Sequence, residues 1–103
     1  MSYDITIYDN DTGQGQDFNI TYNVAPMFRA VFPDDGIRIV YGKTGLESQE
    51  LLLKLHNYLI VNREDMIALE PSNKWGTWYD TVKFVNRMCM YAAILPNGVW
   101  EGD

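Results

Sequence analysis

The chain holds a single cysteine, Cys89, and a single histidine, His56. One cysteine excludes an internal disulfide and suits a reducing compartment. One Cys and one His cannot furnish the four ligands of a structural zinc site, so no metal and no cofactor is expected. Basic residues are also scarce: 8 Lys and Arg stand against 14 Asp and Glu, a net charge of −6 over 103 residues. A chain of that sign repels phosphate, which argues against a nucleic-acid partner. Mimicry of DNA ranks last, because the charge is modest and the acids show no regular spacing. Apolar runs such as Leu51–Leu53 and Leu59–Val61 fall far short of the roughly 18 residues that span a bilayer, and no membrane partner is expected. The opening Met1-Ser2-Tyr3-Asp4-Ile5 lacks the basic and apolar regions of a signal peptide. These absences point to the cytoplasm. What is present, 47% hydrophobic and 21% charged residues, is ordinary globular composition, excludes disorder and suits one domain over residues 1–103.

Periodicity predicts an α+β fold: an N-terminal β-hairpin or small antiparallel sheet packed against three to four helices. Tyr3, Ile5 and Ile7 alternate with Asp4 and Thr6, and Phe18, Ile20 and Tyr22 alternate with Asp17, Asn19, Thr21 and Asn23. Period two is the mark of half-buried strands. The span 9–16, with two glycines and several Asp and Asn, reads as a long hairpin loop with a mobile tip. Asn23 is placed to cap a short helix bearing Val24, Met27, Phe28 and Val31 on one stripe, stopped by Pro33-Asp34-Asp35-Gly36. Ile37–Tyr41 fits a third strand or an extended crossing segment. Thr44-Gly45-Leu46-Glu47 has capping-box spacing. The helix after it carries Leu51, Leu52, Leu55, Tyr58 and Leu59 on a stripe, with Leu53 and Ile60 opposite, as if covered on two sides. A short helical piece is expected over Asp65–Leu69. The last helix starts near Thr77 with Asp80 three residues on. Trp78, Val82, Val85, Cys89, Ala92 and Ala93 share its apolar face, widened by Phe84, Met88 and Tyr91, while Asp80, Lys83 and Arg87 face water. Val99-Trp100 reads as a short extended tail.

Most chemical-looking signals fail on spacing. Gly42-Lys43-Thr44 resembles the end of a phosphate loop, but that loop requires glycine at position 37, where Ile37 stands. Asp9-Asn10-Asp11 hints at a calcium loop but lacks the sixth-position Gly and twelfth-position Glu; Gln14 and Ile20 occupy those places. Cys89 sits on an apolar helix face, where a thiol stays protonated and inert, and His56 reads as a rim residue. No catalytic residue is assigned, and no nucleophile–base pair is visible.

Two stretches remain. Asn19-Ile20-Thr21-Tyr22-Asn23 puts three small polar side chains along one strand face. Pro71-Ser72-Asn73-Lys74-Trp75-Gly76-Thr77-Trp78-Tyr79 gathers two Trp, a Tyr and a Gly where a helix begins. An aromatic loop over the N–H groups of a helix start can rim a ligand site or anchor an interface. It can equally plug the core, with Asn73 and Thr77 capping the helix. The candidate contact residues are therefore Asn19, Thr21, Tyr22, Asn23, Asn73, Trp75, Trp78 and Tyr79, with acidic residues of the 9–17 loop as a further patch.

The same stretches carry a resemblance. Asn19-Ile20-Thr21-x-Asn23 and Pro71-Ser72-Asn73-x-Trp75-Gly76-Thr77-x-Tyr79, followed by Phe84-Val85, are similar to the "NITHN" and "NPSNGWGTYEGLVEFV" motifs of a family of small phage and prophage proteins. The likeness runs weakly from about residue 18 to about residue 96, and the first strand and residues 37–69 match poorly. Tyr22 stands where the family has His, and Lys74 where it has Gly. The family has no assigned reaction, so the resemblance implies a phage or mobile-element origin and a bacterial intracellular setting. The expected function is non-enzymatic: binding a host or phage protein, as a host-takeover or counter-defence factor. The alternative is a small polar, nucleotide-like ligand held by the Asn side chains and stacked on Trp75 or Trp78. Both readings require that the two stretches meet in space and stay partly accessible.

Overall fold

The computed structural model describes residues 1–103. The fold is α+β: a three-stranded antiparallel sheet of order β2-β1-β3 packed against four helices. Strands β1 (Ser2–Asp9) and β2 (Gln14–Thr21) form the hairpin, in a register that faces Ile5 to Phe18 and Tyr3 to Ile20. Successive side chains alternate sides, so this register sends Tyr3, Ile5, Ile7, Phe18 and Ile20 inward and leaves Asp4, Asp17 and Asn19 outside.

The hairpin loop is shorter than the expected 9–16. Asp9 pairs with Gln14, and the Gly13 N–H donates to the Asp9 carbonyl at 2.8 Å. The Asp9 carboxylate turns inward and accepts the N–H groups of Asp11 and Thr12 at 2.9 and 3.4 Å. An Asx turn of this kind ties the loop down, which opposes a mobile tip.

Tyr22 does not continue the strand. Tyr22–Val24 is a turn of 3₁₀ helix leading into α1 (Ala25–Val31). Thr21, not Asn23, caps it, with its hydroxyl accepting the Asn23 N–H. Ile37–Tyr41 is neither strand nor extended: Gly36–Val40 is 3₁₀ helix, which buries Ile37 and Val40 together.

Helix α2 (Gly45–Val61) opens with the expected capping box of Thr44 and Glu47. The two hydrogen bonds from Thr44 hold the Glu47 carboxyl below its usual range. Leu52, Leu55 and Leu59 are buried on its inner face. Leu53 and Ile60 are exposed, so α2 is covered on one side only, against the two-sided expectation. The short helix α3 (Arg63–Ile67) follows.

Helix α4 (Trp78–Ile94) is capped by Thr77 and Asp80, again as a capping box. Its buried face is Thr81, Phe84, Val85, Met88 and Ala92, so the apolar centre lies on the row expected to flank it, and Ala93 is exposed. Cys89 is half-buried against the core, and burial pushes its thiol upward, keeping it protonated.

The expected tail is a strand, β3 (Val99–Gly102), antiparallel to β1, with Ile7 facing Trp100. Trp100 is fully buried, and its indole N–H donates to the Ser48 hydroxyl of α2 at 2.8 Å. Sheet, α1, α2 and α4 enclose one continuous apolar core.

Candidate functional site

Two segments distant in sequence meet at the free side of β2. Asn23 donates its side-chain N–H to the Trp75 carbonyl at 3.2 Å. Gly76 lies beside Thr21 and Val24: a Cβ added there would come within 2.7 Å of a methyl carbon of each. Its φ of +99° also suits glycine alone. Gly76 thus lets the turn press against the end of β2.

The turn is built for this. Asn73 Oδ1 accepts the Trp75 N–H at 3.0 Å, so Asn73 shapes the turn and leaves the helix cap to Thr77. Glu70 accepts the Trp78 N–H at 2.6 Å. Trp78 is half-buried; its indole N–H donates to the Leu59 carbonyl at 2.8 Å, and the Arg63 guanidinium lies 4.9 Å from its ring centre. Trp78 therefore pins α4 to the end of α2. Trp75 and Tyr79 stand free, at 72% and 62% exposure.

An open cleft of about 360 Å³ lies between β2 and α4, lined by Asn19, Thr21, Gly76, Asp80, Lys83 and Arg87 over a floor of Ile20 and Phe84. Asp80 caps α4, its carboxylate accepting the Thr77 N–H at 3.4 Å. Lys83 and Arg87 pack on aromatic rings instead of carboxylates: the Lys83 ammonium is 5.3 Å from the Tyr79 ring centre, and the Arg87 guanidinium carbon 5.2 Å from that of Phe18. The cleft thus holds two cations and one carboxylate, Asp80, in a chain that is acidic as a whole.

The candidate residues divide by position. Asn19 and Thr21 line the cleft, Tyr79 adjoins it through Lys83, and Trp75 precedes the lining residue Gly76 without lining the cleft itself. The Asn19 amide already donates to Ser2, Tyr3 and Asp4 across the hairpin, at 2.9, 3.3 and 2.6 Å. Tyr22 is elsewhere, with its ring edge-on to Tyr3 at 4.6 Å and the Arg38 guanidinium nearby. In the 9–17 patch, Asp9 is buried while Asp11 and Asp17 are exposed. Lys83 and Arg87 were not singled out by sequence, although Asp80, Lys83 and Arg87 at i, i+3 and i+7 form one helical row.

No group of three or more His, Cys, Asp or Glu comes together to hold a metal ion. No helix is long and apolar enough to cross a membrane. Comparison with known proteins gives no matching family model, no matching curated protein and no matching solved structure.

Proposed function

We propose that this protein works by binding a partner protein at the free edge of β2. In the setting that the phage-family resemblance implies, that partner is a host or phage protein in the bacterial cytoplasm, and the outcome is host takeover or counter-defence. The observation that carries the reading is the exposure of Trp75 and Tyr79 on either side of Gly76 and the helix start, next in sequence to a cleft that contains Lys83 and Arg87. Exposed aromatics beside a polar cleft are the usual anchors of an interface. Strand β2 lies at the sheet edge, so one side of its backbone is free to meet an added chain segment. The two cations would take an acidic side chain of that segment.

The test is affinity capture from bacterial host lysate at micromolar bait, comparing the native chain with Trp75→Ala/Tyr79→Ala and with Lys83→Glu/Arg87→Glu. A protein held by the native chain should be lost or weakened by roughly 30-fold or more in each variant, the effect of removing central anchors. Capture of nothing, or equal capture by all three, overturns the reading.

A second reading rests on the same cations: a small anionic, nucleotide-like ligand in the cleft, stacked on Trp75. Such a ligand raises the melting temperature by mass action, and the Lys83→Glu/Arg87→Glu variant abolishes that rise. An unchanged melting point across nucleotides and phosphosugars removes this reading and leaves the first standing.

A further inference from the structure

Helix α2 carries a second surface, remote in sequence from the β2 cleft. Leu46, Leu53 and Ile60 recur at intervals of seven, two helical turns, and all three are exposed. With Val61 they range from 46% exposure at Ile60 to 80% at Val61. Four aliphatic side chains along a single helix face are more than scattered surface apolar residues account for. Glu50 and Asn57 alternate with them on the same face, and Lys54 lies along one margin, where Leu53, Lys54, Asn57, Tyr58 and Val61 border a shallow groove.

We propose that this face is a contact between two copies of the chain, with their α2 helices antiparallel about a two-fold axis at Leu53. The charges select both occupant and direction. About that axis Leu53 meets its own copy, and Leu46 stands level with Ile60 of the second chain. Glu50 is then offset by about 3 Å along the axis from Lys54 of the second chain, within side-chain reach, and the pair occurs twice. Asn57 lies nearer still to Glu50 of the other copy and can donate its amide N–H to that carboxylate. The two Lys54 residues also stand about 3 Å apart along the axis, each flanked by a Glu50, whereas a parallel arrangement would set Glu50 level with Glu50 and Lys54 level with Lys54, which like charge disfavours more. Of the two orientations, the antiparallel one is the better matched in charge. One pair of helix faces buries no more than the low end of the roughly 1,200–2,000 Å² of stable interfaces, so the dimer dissociates on dilution.

Sedimentation equilibrium from about 10 µM to about 1 mM is expected to show the mass rise towards twice that of the chain. Leu53→Lys, which places two ammonium groups at the axis, should weaken association more than about 10-fold while leaving the circular dichroism and melting point unchanged. Ile60→Glu is the second variant, with the same expectation. Direction is read by oxidation in a Cys89→Ala background: Leu53→Cys should give a covalent dimer and Leu46→Cys should not. A monomer at the highest concentration overturns the proposal. So does a dimer indifferent to both substitutions, or cross-linking through Leu46→Cys as ready as through Leu53→Cys. None of these outcomes depends on the β2 cleft, so failure here leaves the binding reading untouched.

Discussion

Lys74 holds φ at +66°, in the left-handed region, where a side chain crowds the following carbonyl. It is the one non-glycine residue of the chain with a positive φ. Lys74→Gly relieves that crowding, partly offset by glycine's greater freedom in the unfolded chain. Stability should rise by a few tenths to about 1 kcal/mol in urea titration. Tyr41 is a second local conflict. Its hydroxyl is buried with no hydrogen-bond partner, while the neighbouring Arg38 donates its Nε–H to the Asp103 carbonyl at 2.8 Å. Burial raises the phenol from 10.0 to about 12, against the opposing pull of the Arg38 charge. The folded chain therefore keeps a proton that the unfolded chain releases, and stability is lost as pH climbs from about 10 through about 12. Tyr41→Phe should flatten that alkaline fall in melting temperature and add up to about 1 kcal/mol at neutral pH.

At the scale of elements, legibility followed the range of the interaction. The hairpin, the Thr44–Glu47 capping box, the helix start near Thr77 and the stop at Pro33 were readable because each depends on residues within a few positions. The 3₁₀ segment over Gly36–Val40 was not: a short apolar run does not declare its period, and tertiary packing of Ile37 and Val40 decides it. The loop length is the exception, since the bonds of the Asp9 carboxylate to Asp11 and Thr12 are local and still composition does not reveal them. On α2, Leu53 and Ile60 suggested a second covering layer within the chain, and that layer is absent. The meeting of the Asn and Trp stretches was expected as a whole. Its fine placement was not, because Asn19 is engaged across the hairpin and the cleft cations come from a row read as a solvated face.

At the scale of the molecule, 43 × 26 × 22 Å in extent, the core is drawn from both ends of the chain. Trp100 packs at 5.6 Å between ring centres from Phe18 and ties the sheet to α2 through Ser48. Trp100→Ala should cost about 3–5 kcal/mol, a large part of the roughly 5–15 kcal/mol expected of a whole domain, read as a shift of the urea midpoint. Gly45 shows the same tightness, since a Cβ there would run into the Ala92 and Leu95 carbonyl oxygens where α2 passes α4.

The pairing of Ile5 with Gly102 has a consequence for how the chain reaches its native state. The middle strand of the sheet precedes one of its two neighbours by more than ninety positions. Until that partner emerges from the ribosome, β1 has one flank bare and the cavity meant for Trp100 is open to water. Closing so large a loop carries an entropic cost that the hairpin does not, so this edge of the sheet is expected to pair later than the hairpin.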